Sequence, residues 1–287
     1  MKTRSITPWL YILPTCVLVI VYLVYPTIHT LILSFFNRSS SEFIGVQNYI
    51  HIVSNKMTLS AIKNNLLWMF LFPLATVSLG LFLAIRTDGM QYEKIIKSVI
   101  FLPMAISFVG AGVIWKFMYA YKPLGTAQIG FLNEIVVAIG GHPIAWLTRR
   151  PWINNSCLLI IGIWVWTGFC MVILSAAYKS LPSDVMDAAK VDGATKSQIF
   201  LNIVLPLLQP ALVMVTTTMM VFGLKIFDVI YVTTNGLFDT EVLANRMYKE
   251  LFIYHNIGRA TAIAMILLVI SVAILGTNIL RSRNSTE

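Results

Sequence analysis

Between two strongly apolar runs, Leu181–Pro206 reads LPSDVMDAAKVDGATKSQIFLNIVLP and carries Asp184, Asp187, Lys190, Asp192 and Lys196 among small residues. Ser183 suits a helix N-cap, and Asp184 would complement the positive end of the helix dipole. A short helix then runs to about Val191, Gly193 permits a turn, and a second helical piece leads through Phe200 toward Pro206. Ala188, Ala189, Gly193 and Ala194 leave little side-chain bulk, so another backbone or an aromatic ring can approach closely. Such chemistry is docking rather than bond-making, although an ordinary amphipathic connector fits the same residues.

Lys225 and Asp228 form a second charged pair, three residues apart inside an apolar run and so on one face of a continuous helix. A charge within a membrane costs roughly 2.5–3.5 kcal/mol on the insertion scale, so such groups pair or face water. Both readings stand: lining of a polar cavity, or a structural ion pair at a subunit interface. Catalytic arrangements are missing from the sequence. The four histidines, His29, His51, His142 and His255, are dispersed without ligand spacing, and no nucleophile–base pattern appears. The Gly-x-x-x-x-Gly-Lys-Ser/Thr phosphate loop is also absent, so the chain does not bind ATP in that manner.

The elements that position these groups are apolar helices. Of 287 residues 57% are hydrophobic and 11% charged, with mean hydropathy +0.79, whereas soluble domains carry about a quarter charged residues. Several runs reach the ~20 apolar residues that cross a ~30 Å hydrocarbon core. They are long and near-continuous, which selects helices over a barrel. Six spans follow, roughly Pro8–Phe35, Leu66–Ile85, Ile95–Tyr119, Asn155–Tyr178, Pro206–Val232 and Ala260–Leu280. The chain is read as an all-α polytopic membrane protein, one domain over residues 1–287.

The net charge of +9 does not indicate nucleic acid, because the basic residues are spread singly and lack interleaved stacking aromatics. Ten fall on the side of the termini, from Lys2 and Arg4 to Arg281 and Arg283, and ten on the other, including Arg149 and Arg150. The first set is denser along its loops, which places both termini and the Leu181–Leu205 loop in the cytoplasm. Lys97 and Lys116 lie near span ends, where long side chains snorkel toward the interface. Cys16, Cys157 and Cys170 lie in or beside apolar runs and read as buried small hydrophobes.

The polar loop resembles the cytoplasmic loop of membrane subunits in bacterial ATP-binding-cassette importers. That loop is written Glu-Ala-Ala, three residues, Gly, and further on Ile-x-Leu-Pro; here Asp187, Ala188, Ala189, Gly193 and Ile203-Val204-Leu205-Pro206 hold those places. Elsewhere the chain is similar to the carbohydrate-uptake branch, that of the maltose and glycerol-phosphate permeases. The matching stretches are Tyr25-Pro26, Ser34-Phe35, Phe43-x-Gly45-x-x-Asn48-Tyr49, Phe101-Leu102-Pro103 with Trp115, and Phe227-Asp228-x-Ile230-Tyr231-x-x-Thr234-Asn235-Gly236. After Gly236 the family continues Gly-Pro, but this chain has Leu237-Phe238, so the following external loop must take its own shape.

The resemblance implies the type I importer permease fold in a bacterial inner membrane, and a subunit that performs no chemistry. It implies that Asp184, Asp187, Ala188, Ala189, Asp192, Gly193, Ala194 and Phe200 couple to a cytoplasmic ATPase dimer. ATP and magnesium would be bound there, and no cofactor in this chain. A second homologous permease and an extracytoplasmic solute-binding protein would complete the machine. Substrate contacts in the maltose importer come from the fourth and fifth spans, and the positions aligned with them here are Gly162, Val165, Trp166, Phe169, Met219, Phe222, Gly223 and Ile226. With Lys225 and Asp228, the residues expected to bind substrate are Trp166, Phe169, Met219, Phe222, Gly223 and Ile226. Gly162 and Gly168 would allow close approach to the fourth span. Few of these positions keep polar chemistry, so a sugar or glycoside other than maltose is expected, or one held mainly by the partner subunit. A self-contained secondary transporter of a polar solute is the alternative.

Overall fold

The computed structural model describes residues 7–149 and 152–284, so Lys2, Arg4 and Arg150 of the charge count lie outside the described residues. Among the described residues the chain is helices and turns, with one isolated antiparallel bridge between Phe36 and Phe43. Five helices are long and apolar enough to cross a membrane: Tyr11–Leu33, Lys56–Thr87, Ile153–Lys179, Gln209–Thr233 and Ile257–Gly276. A sixth span is formed if Glu93–Ala105 and Phe108–Met118 are one element, bent by 98°. Five of the six expected spans are therefore matched by single helices, and the third by a bent pair.

Local sequence explains the breaks. Pro103 ends the first limb of the third span in a 3-10 turn, Leu102–Ala105. Ser107 then starts the second limb, its Oγ accepting from Gly110 N at 3.1 Å. Two π-turns, Ile20–Val24 and Phe200–Val204, each stand just before a proline. In both the residue before proline donates five residues back, Tyr25 N to Ile20 O and Leu205 N to Phe200 O. The wider turn relieves the clash a proline ring makes with the carbonyl four residues earlier.

Contacts group the chain into two compact units, one holding the chain up to Leu59 with Arg246–Val269, the other Ser60–Asn245 with the chain from Ile270 onward. In the first unit, the Ser34-Phe35 and Asn48-Tyr49 motif residues form a clamp. Asn48 Nδ2 donates to Ser34 O at 2.9 Å and Phe36 O at 2.8 Å, and the Ser34 and Tyr49 hydroxyls meet at 2.7 Å. Those residues hold the turn after the first span in shape. In the second unit the core runs through the second, fourth and fifth spans, with Trp68, Phe72, Leu158, Ile161, Met171, Leu174 and Met219 fully buried. Cys157 and Cys170 are buried there as expected, whereas Cys16, on the first span, is exposed.

The ends of the second, third and fourth spans meet in a charged latch. Glu93 Oε1 lies 2.6 Å from both Lys97 Nζ and Lys179 Nζ, and Asp88 reaches Lys179 at 3.6 Å. Lys97 also donates to Ser175 Oγ. With its side chain 15% exposed, Lys97 is tied inward rather than snorkelling. Because Lys179 closes the fourth span four residues before the helix of the polar loop, Glu93→Gln should loosen the approach to that loop. If the loop docks an ATPase, as the resemblance implies, a several-fold fall in transport is expected, with normal membrane insertion; unchanged transport would leave the latch without a mechanical role.

Candidate functional site

The polar loop folds as two short helices around a left-handed turn. Ser183–Val191 is helical, so the helix ends where the sequence places it. It starts one residue earlier than the capping argument gives: Pro182 is the residue before the helix, and the Ser183 hydroxyl turns to Asp184 Oδ1 at 3.3 Å. At the other end Asp192 N, Gly193 N and Ala194 N donate to Ala188 O, Lys190 O and Ala189 O at 3.0, 3.1 and 3.0 Å. This pattern satisfies the last carbonyls and needs a residue at positive φ. Gly193 supplies it at φ +81°, with open space where a Cβ would project.

The following helix, Lys196–Ile199, begins with a capping box between Thr195 and Gln198: Thr195 N donates to Gln198 Oε1 at 2.8 Å, and Gln198 N to Thr195 Oγ1 at 3.3 Å. The Thr-x-x-Gln spacing is a sequence signal for that start.

The eight residues expected to couple to an ATPase divide into two faces. Ala189, Ala194 and Phe200 pack inward with Met186, Leu181 and Tyr178 against the buried cluster Ile199, Val204 and Leu208. Asp184, Asp187, Ala188, Asp192 and Gly193 are exposed. Val191 joins the outer face at 88% exposure, with Val185 at 45%. Neither valine was singled out by motif reasoning, because both read as ordinary helix formers. Lys190 pairs with Asp187 at 2.7 Å across one helical turn.

At the level of the spans, an aromatic cluster gathers rings from four of them. Trp166 and Phe222 rings lie 4.3 Å apart, Trp166 and Phe169 5.4 Å, and Phe108 and Phe222 5.2 Å. Phe72 of the second span reaches Phe222 at 6.3 Å. The bend in the third span brings Phe108 to the group, where it also meets Trp166 at 6.2 Å. Phe72 and Phe108 carry no motif of their own, so the sequence did not mark them. Among the described residues the buried indole Nε1 atoms of Trp166 and Trp68 have no hydrogen-bond partner.

The remaining expected substrate residues fall behind or beside these rings. Met219 is fully buried, Ile226 is 2% exposed, and Val165 is 1% exposed. Gly223 backs onto the second span so closely that a Cβ would sit 2.5 Å from Trp68 O, and one on Gly162 would sit 2.9 Å from the Trp68 ring. The close approach at Gly162 and Gly168 is therefore made by neighbouring helices: Trp68 at the first and Phe101 of the third span, 2.6 Å from a Cβ, at the second.

The fifth span is broken. Its first helix stops at Leu224 and a second starts at Asp228, with Phe227 at φ −139° and ψ −61° between them. Lys225 and Asp228 thus stand on opposite sides of a break, not on one helical face, and they form no ion pair among the described residues. Lys225 is exposed; Asp228 is half-buried and occupies the first turn of its helix, where a carboxylate is favoured. Non-helical backbone at membrane depth requires protein partners, and Asn65 provides them. Its Nδ2 donates to Leu224 O at 2.7 Å, while its Oδ1 accepts from Leu243 N at 2.6 Å.

The same second span ties down the loop that follows the fifth. Asn64 Nδ2 donates to Asp239 O at 2.7 Å and Glu241 O at 2.8 Å, Asn154 Nδ2 to Phe238 O at 2.5 Å, and Thr234 and Thr240 hydroxyls meet at 2.6 Å. On either side of Leu237, the residues Asn235, Gly236, Phe238 and Asp239 all take positive φ, from +49° to +72°. Asparagine side chains from two spans hold this tight, left-handed path.

Apolar spans, an exposed docking loop and a broken helix under an aromatic cluster define a membrane-embedded transport subunit. The chain belongs to the binding-protein-dependent transport system inner membrane component family, whose model matches residues 77–284. It is 50% identical over 272 residues to the osmoprotective compounds uptake permease protein GgtC of Synechocystis sp., covering 95% of this chain and 97% of that one. It is 43% identical over 285 residues to the alpha-glucoside transport system permease protein AglF of Rhizobium meliloti, covering 99% and 84%. Its fold matches a bacterial alginate ABC transporter solved with an alginate pentasaccharide-bound periplasmic protein, at TM-score 0.80 and 23% identity, over 99% of this chain and 96% of that one. The fold is that of an ABC importer permease, as the polar loop implied.

Proposed function

We propose that this chain forms half of the translocation pathway for a neutral sugar or glycoside, driven by ATP hydrolysis in a pair of cytoplasmic partner subunits. The observation that carries the substrate class is the aromatic cluster around Trp166 and Phe222. Sugars stack their apolar faces on rings and hydrogen-bond through hydroxyls. The indole N–H of Trp166, unpaired among the described residues, is a donor of the kind a sugar hydroxyl would satisfy, and among those residues the ring contacts join aromatic side chains alone. The name of one relative, an alpha-glucoside transport permease, supports the same class.

In this reading, Trp166, Phe169, Phe222 and Phe108 part to admit the solute, Lys225 reaches its hydroxyls from the break, and Asp228 orders the helix beyond. Met219, Gly223 and Ile226 support the rings from behind. The face Asp184, Asp187, Ala188, Val191, Asp192 and Gly193 seats in a cleft of an ATPase, which binds ATP and magnesium. Ala189, Ala194 and Phe200 pass the movement to the fourth and fifth spans. A second permease supplies the other half of the path, and a solute-binding protein delivers substrate from outside the inner membrane. Both termini and the coupling loop are cytoplasmic.

The test is ATPase stimulation of the reconstituted complex by its binding protein with a panel of α-glucosides, other glycosides and non-carbohydrate osmolytes. Stimulation by glycosides alone is expected; stimulation only by a non-carbohydrate solute would sink the assignment. Lys225→Met should raise the half-saturating substrate concentration several-fold without destabilising the complex, because no ion pair is lost. Unchanged affinity and selectivity would remove Lys225 from the path.

A further inference from the structure

Apart from the coupling loop and the aromatic cluster, Arg38, Arg246, Glu250, Tyr254, Asn256 and Arg259 line a pocket of about 280 Å3. Three guanidiniums line it with a single carboxylate, Glu250, which pairs with Arg246. Arg38 is committed to backbone: its NH2 group donates to Tyr254 O at 2.5 Å and its Nε to His255 O at 3.4 Å. Arg246 donates to Glu250 Oε1 at 2.6 Å and stacks over the Tyr254 ring at 5.3 Å. Yet Arg246 is only 7% exposed, and its buried Nε has no partner among the described residues. The Arg259 side chain likewise has no hydrogen-bond or ion-pair partner among them. A buried guanidinium N–H left unpaired is costly, and the acceptor that suits an arginine fork is an oxyanion with several oxygens.

The surroundings narrow the source. Arg259 is the third residue of the sixth span, Ile257–Gly276, so the pocket opens at the depth where headgroups lie. Lys249–Ile253 is a π-turn, and its end carries Leu251, Phe252 and Ile253 at 36, 60 and 52% exposure, followed by Tyr254 at 42%. An exposed apolar run beside a basic pocket fits an acyl chain attached to a phosphate, and tyrosine at this level is a usual interfacial anchor.

We propose that this pocket binds a phosphoryl group, supplied by the headgroup of an anionic phospholipid or by free phosphate. Arg246 and Arg259 hold its oxygens, Arg38 and Glu250 brace the walls, and Leu251–Ile253 lie along the lipid tail when a lipid is the source.

The assembled complex should be reconstituted in vesicles of phosphatidylcholine with and without phosphatidylglycerol, extracted, and its retained lipid read by native mass spectrometry. In parallel, thermal unfolding of the delipidated complex should be followed with inorganic phosphate. Arg259→Gln is the main variant, since it breaks no contact within the described residues. Arg246→Gln is the stronger but riskier change, and Arg86→Gln controls for lost charge. Selective retention of phosphatidylglycerol by wild type and Arg86→Gln, lost in Arg259→Gln, supports the site with lipid as its source. Stabilisation by inorganic phosphate without lipid retention, again lost in Arg259→Gln, supports it with the free ion. Equal lipid retention and equal phosphate response in wild type and Arg259→Gln overturn the proposal. So does a variant that loses only the docking of the binding protein, which would make the pocket a protein interface. None of these readouts depends on the transported solute.

Discussion

Gly193→Val should abolish ATP-driven uptake while the subunit still inserts and assembles. Gly193 holds φ +81°, and no atom lies within 4 Å of where its Cβ would be. The defect would therefore not come from a clash within the chain. It would come from forcing a β-branched residue into the left-handed region, a cost of roughly 1–2 kcal/mol or more. The helix cap at Ala189 O and Lys190 O would give way first, tilting Ser183–Val191 away from Lys196–Ile199. Asparagine tolerates this conformation, so Gly193→Asn should keep most activity. Val191→Glu supplies the complementary case: the side chain is 88% exposed, so a charge there leaves the fold intact and spoils only docking. Uptake and ATPase activity in proteoliposomes would separate the three. Wild-type uptake by both Gly193→Val and Val191→Glu would remove the loop from the coupling path.

The legibility of these features in the sequence varies with the range of the interaction. The turn at Gly193 was readable because each of its signals is local: small residues, a glycine at a helix end, and a fixed spacing to Pro206. The six spans were readable for the same reason, as composition alone sets them. Breaks inside spans were less accessible. Pro103 hints at the 98° bend, but nothing near Lys225 announces that the helix stops at Leu224. The pair therefore looked continuous until tertiary partners were seen. The aromatic cluster shows the same limit. Trp166, Phe169 and Phe222 were nameable from two adjoining spans, whereas Phe72 and Phe108 join them only through packing. Met219, Gly223 and Ile226 aligned with substrate positions by register, yet register does not state which face is turned to a neighbouring helix. The loop after Gly236 was beyond reach, since its path depends on asparagines from the second and fourth spans.

The asparagine next to Asn64 gives the second large effect. Asn65→Leu should unseat the break in the fifth span and disable transport. Asn65 is 3% exposed, and leucine would keep its branching at Cγ, in a bulkier side chain, without serving either backbone group. Leu224 O has lost its helical donor because the helix ends there, so Asn65 Nδ2 at 2.7 Å is what satisfies it. Leu243 N would lose Asn65 Oδ1, now at 2.6 Å. Leaving a buried donor or acceptor unpaired costs about 1–3 kcal/mol each, so the pair of losses amounts to about 2–6 kcal/mol. That is enough either to continue the helix through Lys225 or to let the break admit water. Amide exchange should rise at Leu224–Asp228 and at Leu243–Asn245 together, since one side chain serves both segments. Asn65→Asp separates the two halves: it keeps an acceptor for Leu243 N but sets a carboxylate against the Leu224 carbonyl, so exchange should rise mainly at the break. Protection that is unchanged in Asn65→Leu, or lost at only one of the two segments, would show that the break is held by something other than this amide.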